Sequence, residues 1–534
     1  MKQKLVPAAR QALIAEYYAP QRALLFEAIA RLDAAYRRRK QELNALDFAD
    51  LEELVIRLLR DREPLRNRVR ERFDEILMDE LQDTNPLQAM LVELIRKPDA
   101  FFAVGDINQA IYGFRHADPE VFRKFRDSIA AQGRPVDRLR QNHRSRGEIL
   151  FAAEKILEGG DGIEPQELEP ARKFTPKGEP SVEVIAAVAE TAEEAAALEG
   201  RLLALRIREL EGSLLIEPRG GKPRPAELGD MAVLVRNINA LPAIEEGLRE
   251  LGIPFLITRG KHFYEAREVT DLVHLLRVIN NPRDEISMAA VLRSPLAGLQ
   301  NETLFRLKQI GNLGAALNWL DHVNTAALAP GELDRVRAFR ERLCRLRSIA
   351  DEVSPDRLLL EAIDGTGYES SLTPHARANL RKLLVRLREW YDARPRPLSR
   401  LVRELEELRE ADPDEPAAPP EDSTSAVRLM TIHSAKGLEF PIVFLAALHK
   451  GVSNESPPLT FSPAAGVVAR WLDPATGEAL KDLPYTLFSE EQRVRSREEE
   501  NRLLYVAMTR AEEHLVLSMA VSGKSKRPKN WAAK

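Results

Sequence analysis

Short apolar runs that stop at polar or acidic residues, with helical stretches between them, narrow the fold of this chain most. Glu75–Met78, Ala100–Val104, Val136–Leu139, Val182–Val188 and Met231–Val235 read as strands, and the pattern returns at Val427–Ile432, Ile442–Leu445 and His514–Ser518. Strands alternating with helices make a mostly parallel α/β sheet. Residues 262–410 look almost wholly helical, with loops at Asn281-Pro282, Ser294-Pro295 and Pro395–Pro397. The stretch from Ala411 to Asp422 is rich in Pro and acid and reads as a linker, because such composition resists packing. The simplest account is an α/β fold interrupted by a helical insertion, after which the chain returns to complete the earlier sheet. Residues 1–60 read as helices. Leu51, Leu54, Val55, Leu58 and Leu59 keep helical spacing, and Asp47 with Asp50 resembles a capping box.

The 534 residues allow roughly three to four domains. A net charge of -4 excludes a globally basic nucleic-acid binder, so any such contact must use local charge. The single cysteine, Cys344, excludes an intramolecular disulfide framework and a Cys-based zinc cluster, and a reducing cytoplasm is expected. No run approaches the ~20 apolar residues of a membrane span, and the N-terminus lacks a signal-peptide core.

Five segments carry chemistry. After Glu75–Met78 come Asp79, Glu80, Gln82 and Asp83. Nucleotide hydrolases hold Mg²⁺ with such carboxylates at the end of a buried parallel strand, one near the metal and one polarising the attacking water. The second segment ends a strand at Gly105-Asp106 and continues through Gln109 to Tyr112, Phe114 and Arg115. Aromatics beside Arg suit single-stranded nucleic acid, and equally suit a core aromatic pair beside a surface Arg. The third, Gln141-Asn142-His143-Arg144-Ser145-Arg146, could supply a guanidinium to a γ-phosphate or be a solvated helix start. The fourth runs from Val427 through Thr431 and His433 to Lys436-Gly437 and Glu439. His433 has no partner His or Cys at ligand spacing and by itself reads as a structural histidine. The fifth, Glu500 to Ala511, buries Leu503, Leu504, Val506 and Ala507 and ends at Arg510, either an arginine finger or a solvated helix-closing residue.

In order and spacing, DELQDTN, VGDINQAIYGFR, QNHRSR, TIHSAKGLEF and LLYVAMTRA resemble motifs II to VI of the superfamily 1 DNA helicases of the UvrD/Rep/RecB type. The resemblance spans about residues 43–520 and includes the segment from Gly252. It implies RecA-like parallel sheets, with a partial first lobe, a complete second lobe and a large helical insertion. It also implies ATP and Mg²⁺ as cofactors and single-stranded or partly duplex DNA as a partner. Asp79 then resembles the metal ligand and Glu80 the general base. Gln109 resembles the γ-phosphate sensor, Arg144 and Arg510 the γ-phosphate arginines, and Glu439 the ribose contact. Tyr112, Phe114, Arg115, Thr431 and His433 resemble the DNA-facing set. His143 stands where Tyr or Phe usually stacks on adenine, and Phe114 where Trp is frequent.

The family's phosphate loop, G-x-x-x-x-G-K-[ST], has no counterpart. Residues 1–75 contain no Gly, Gly221-Lys222 is followed by Pro223, and Gly523-Lys524-Ser525 has Ser518 where the first Gly belongs. The long stretch from Phe440 to Glu498 favours the RecB/AddA-like branch, whose members usually continue into a nuclease domain. The expected division is 1–46, a helical remnant of the first-lobe insertion; 47–133, a partial first lobe; 134–280 and 426–534, the two parts of the second lobe; and 281–425, the helical insertion. The expected function is a fragment of an ATP-dependent 3′→5′ DNA helicase of recombination or repair, cytoplasmic, working with a second helicase-nuclease subunit. The competing expectation is a non-motor remnant that binds DNA or a partner.

Overall fold

The computed structural model describes residues 2–176, 178–218, 221–258, 263–318, 331–410, 426–451, 456–462, 465–523 and 531. The stretch read as a linker, and most of Gly523-Lys524-Ser525, lie outside them. The chain divides into two compact units, residues 1–195 with 435–534 and residues 196–434.

In the first unit the helices Lys2–Tyr17 and Ala19–Glu42 precede Phe48–Asp61, which opens on the Asp47/Asp50 capping box expected from sequence. Its apolar stripe behaves differently from a simple core face. Ile56 and Leu59 are buried, whereas Leu51, Val55 and Leu58 are exposed. Periodicity identifies the helix, but which side is covered depends on what packs there. Two parallel three-residue strands, Ile76–Met78 and Phe101–Ala103, align Met78 with Ala103 and so bring the residues that follow each strand together. Their register partners Leu77 and Phe102 are 71% and 61% exposed.

Val136–Leu139 forms no strand. Its residues are exposed, and the short ladder nearby joins Gln141–Asn142 to Glu169–Pro170. A strand needs a partner edge as well as apolar residues, and none reaches Val136 or Leu139. Three longer strands pair in parallel within this unit, Val182–Ala189 with Ala511–Ser522 and the latter with Phe440–Ala446. Phe440–Ala446 and the first half of Ala511–Ser522 are buried nearly throughout, as near-continuous apolar runs require when both faces are covered.

An antiparallel sheet of Leu459–Ser462, Gly466–Leu472 and Ala479–Lys481 receives the N-terminal helices. Tyr18 stacks on Trp471 at 4.7 Å, and Trp471 Nε1 donates to Asp482 at 2.7 Å. Buried Asp482 also pairs with Arg22 and caps the helix Leu483–Met508 through Tyr485 N. No periodic signal in the sequence announced this hairpin region.

In the second unit Val427–Thr431 lies between Met231–Val235 and Phe255–Thr258, parallel to both. Strands on the far side of the helical stretch thus pair with strands that precede it, at Val427–Thr431 and at Ala511–Ser522. The four-residue strand Phe255–Thr258 was not apparent from sequence. The helices from Arg267 to Glu410 have their own core, including Leu272, Leu276, Val291, Leu343, Leu359, Leu387 and Leu401. Among the described residues no helix is long and apolar enough to cross a membrane.

Two packing details in this unit can be tested. Gly200 and Gly247 bring the helices Ala192–Leu210 and Leu241–Glu250 into backbone contact, and a Cβ at Gly247 would collide with the Gly200 backbone. Gly247→Ala should lower stability by about 1–3 kcal/mol, read from urea midpoints, as overpacking does. In the helical core, Tyr368 donates to Glu268 O at 3.2 Å and Asn379 to the Glu268 carboxylate at 2.6 Å. Beside them burial pushes the Asp271 carboxyl up to about 6. A folded value above the unfolded one stabilises fully below pH ~4 and is lost as pH rises through about 6. Asp271→Asn should therefore raise the unfolding temperature at pH 8. The gain should be at most about 2–3 kcal/mol, reduced by partial solvent screening, and should vanish at pH 4.

Candidate nucleotide and DNA site

Asp79 and Glu80 emerge at the end of the first short strand with exposed side chains, and Glu80 takes a left-handed backbone conformation at φ 54°. A non-glycine residue held there marks a constrained turn. Glu80 N donates to Asp79 Oδ1 at 2.8 Å, and Gln82 donates to the Glu80 carboxylate. Gln82 also accepts from Asp106 N at 3.0 Å and so ties the ends of the two strands together. Lys436 pairs with Asp83, donates to Gln109 O at 2.8 Å and lies 3.7 Å from Glu80. Burial raises the Asp83 carboxyl even against the Lys436 ammonium.

Asp106 is the centre of a second cluster. It accepts from Gln109 Nε2 at 2.8 Å, from Asn108 N at 2.9 Å and from Gln166, whose carbonyl accepts from Tyr505 OH at 2.8 Å. Burial raises both Asp106 and the Tyr505 phenol. Arg502, on the same helix as Tyr505, donates to Ala110 O at 2.8 Å.

The arginines come from different elements. Arg144 N and Ser145 N donate to Asn142 Oδ1, each at 2.9 Å, and Ser145 Oγ donates to Ala511 O at 2.7 Å. Arg146 pairs with Glu513 at 3.1 Å and Arg172 with Glu512 at 3.1 Å, and both guanidiniums lie over the Phe174 ring. This anchors the turn that carries Arg144, whose Nε donates to Glu439 at 2.6 Å. Arg510 is 2% exposed. It donates to Val506 O, Leu438 O and Thr509 Oγ1, and among the described residues no carboxylate pairs with it. Burial, then repulsion from Arg144, lowers it to about 10. His143 is exposed on the same turn as Arg144.

The aromatic–cationic group is compact. Tyr112 and Phe114 meet edge-on at 5.8 Å, Arg115 lies over both rings, and Lys436 lies over Tyr112 at 4.8 Å. Phe114 and Arg115 are exposed. Asp79, Glu80, Gln109, Tyr112, Phe114, Arg115, His143, Arg144, Glu439 and Arg510 all belong to the first unit, whereas Thr431 and His433 belong to the second. There Thr431 Oγ1 bonds Ser434 Oγ at 2.9 Å.

The chemistry of the donor set fits the phosphate end of a magnesium nucleotide. Arg510 is a buried cation with no ion pair among the described residues, Asp83 Oδ1 is buried with no hydrogen-bond partner, and Asp79 is an exposed carboxylate. No cluster of three or more His, Cys, Asp or Glu able to hold a metal occurs among the described residues. Mg²⁺ takes one or two carboxylates plus phosphate oxygens and does not need such a cage.

Sequence reasoning assigned no role to Lys436, Arg502, Tyr505, Asp106 or Gln166. All but Gln166 sit inside the motif segments, so their motif membership was the available signal. Gln166 lies in an aperiodic Gly/Pro loop, and nothing local marks it.

Residues 2–130 match the UvrD/REP helicase N-terminal domain and residues 138–522 the UvrD-like helicase C-terminal domain. The chain is 31% identical over 554 aligned positions to an ATP-dependent helicase/nuclease subunit of Geobacillus thermodenitrificans, covering 94% of this chain and 44% of that protein. With the protein of the same name from Geobacillus kaustophilus the identity is 32%, at the same coverage. With that of Ligilactobacillus salivarius it is 29%, over 95% of this chain and 44% of the relative. The chain thus spans less than half the length of the curated relatives it matches. With both domain models covering nearly its whole length, this chain belongs to the UvrD-like helicase family.

Proposed function

We propose that the chain is a motor segment of an ATP-dependent 3′→5′ DNA helicase of recombination or repair, of the RecB/AddA-like branch. In this reading it works in the cytoplasm with a second helicase-nuclease subunit. The observation that carries the proposal is Arg510, a buried guanidinium with no carboxylate partner among the described residues, in one compact unit with the Asp79-Glu80 turn and Gln109. A γ-phosphate supplies the missing anion.

Asp79 would hold Mg²⁺, and Glu80 would accept the proton of the attacking water. Gln109, oriented by Asp106, would sense the γ-phosphate, and Arg144 and Arg510 would offset transition-state charge. Glu439 would contact the ribose and His143 the base. Arg144 and Glu439 are paired to each other, so both roles require that pair to part. Residues 134–280 and 426–534 would be the two parts of the second lobe, with 281–425 inserted between them.

The residues fit one end of ATP only. No G-x-x-x-x-G-K-[ST] pattern occurs in the sequence, so no loop of amides and Lys answers the other phosphates. The chain alone should bind MgATP poorly and hydrolyse it negligibly, because several contacts of ~1.5–3 kcal/mol each are missing. Vigorous turnover by the purified chain, stimulated by single-stranded DNA and abolished by Glu80→Gln, would overturn this. The same observation favours, as a second reading, a non-motor segment that binds DNA or a partner, and DNA affinity without turnover is its signature.

DNA contact is proposed along Tyr112, Phe114, Arg115, Thr431 and His433. Base stacking is worth ~1–3 kcal/mol per base, so Phe114→Ala should weaken single-strand affinity by roughly one to two orders of magnitude and leave the salt slope unchanged. Arg115→Ala should flatten that slope by losing a phosphate contact. Oligonucleotide titrations at several salt concentrations measure both, and affinity untouched by either substitution removes these residues from the DNA face.

A further inference from the structure

We propose that Glu499 is a positioning residue for single-stranded DNA, holding the Tyr112–Arg115 turn in its stacking geometry through the Gly113 amide. This rests on the reading of that turn as DNA-facing. Gly113 N donates to Glu499 Oε1 at 3.1 Å. A Cβ at Gly113 would lie 2.7 Å from the other carboxylate oxygen, so a larger residue there would push the Glu499 carboxylate back. Gly113 opens a single 3-10 turn in which Arg115 N donates to Tyr112 O and His116 N to Gly113 O, each at 2.9 Å. Gly113 N–H precedes those internal bonds, and the Glu499 carboxylate accepts from it instead.

Glu499 does not act alone on the helix Leu483–Met508. Glu499, Arg502 and Tyr505 recur every three residues, which places them along one face. They hold Gly113 N, Ala110 O and, through Gln166, Asp106. The segment from Asp106 to Gly113 is therefore gripped at both ends and between by one rigid helix. The turn it supports carries Phe114 and Arg115 outward, and a loop with no such anchor would lose ordering free energy each time it engaged a base.

The proposal runs against simple electrostatics. Glu499 is an acid beside a cationic turn, and removing an acid from a DNA-facing surface ordinarily tightens binding. A positioning role reverses the sign for Glu499→Ala but not for Glu499→Gln, whose amide oxygen still accepts from Gly113 N–H.

The test titrates a fluorescent oligo-dT with the full chain, comparing wild type, Glu499→Ala, Glu499→Gln and Phe114→Ala. Amide exchange is followed in peptides covering residues 110–116. Glu499→Ala should weaken affinity about tenfold and speed exchange in that segment, as expected for loss of a charge-assisted hydrogen bond. Glu499→Gln should match wild type within about twofold or bind tighter, with exchange unchanged. Parallel shifts of the two Glu499 variants, in affinity or in exchange, overturn the proposal. If Phe114→Ala has no effect, the DNA-facing reading itself fails and the DNA role of Glu499 falls with it. A loss with Phe114→Ala but not with Glu499→Ala rejects the positioning role alone.

Discussion

A guanidinium taken out of water without a carboxylate beside it sets the terms for the site. Burial and the neighbouring Arg144 charge lower Arg510 to about 10, well below the usual guanidinium range, so holding the charge there is unfavourable. The surrounding packing must offset that cost. Leu503 to Met508 and Ala511 to Leu517 are buried without interruption, so Arg510 is embedded where the helix passes into the strand Ala511–Ser522. Carbonyl oxygens of Val506 and Leu438 accept from its Nε and Nη1, and the Glu439 and Glu80 carboxylates act on its charge without pairing with it. A site built this way favours an anion before any ligand arrives.

The carboxylates are distributed so as not to quench that field. Glu439 is engaged by Arg144, Asp83 by Lys436, and Asp106 by amide groups. Asp106 and Tyr505 are both displaced upward because each is buried, and Gln166 joins them as a neutral donor and acceptor. An amide is the group that suits this position, since it can donate to a carboxylate and accept from a phenol at once. The ion pairs Arg146–Glu513 and Arg172–Glu512, with both guanidiniums over the Phe174 ring, keep the Arg144 turn against the same strand that Arg510 leads into. Removing one partner of such a pair leaves the other charge buried and uncompensated, which is strongly destabilising.

Much of this was legible in the sequence, for reasons that differ by residue. The strand Met231–Val235 and the Asp47 cap were readable because apolar runs and capping chemistry are encoded within a few positions. The motif segments were readable because each carries several chemically demanding residues at fixed spacing. Val136–Leu139 misled because its apolar content meets no partner edge, whereas the spacing of Leu51, Val55 and Leu58 correctly gave a helix without telling which side is covered. Phe255–Thr258 became a strand only by pairing with Val427–Thr431.

By itself, the sequence determined the α/β class, the helical body within it and the motif segments that mark the family, since these follow from local composition, period and spacing. Tertiary structure alone decided which groups meet. Arg144 reaches Glu439 across 295 positions, Tyr505 reaches Gln166 across 339, and Gly113 reaches Glu499 across 386. No pattern confined to a helical turn or a strand carries such information. Each contact exists because parallel strands and one long helix, buried in its last turns, return distant segments to the same few ångströms.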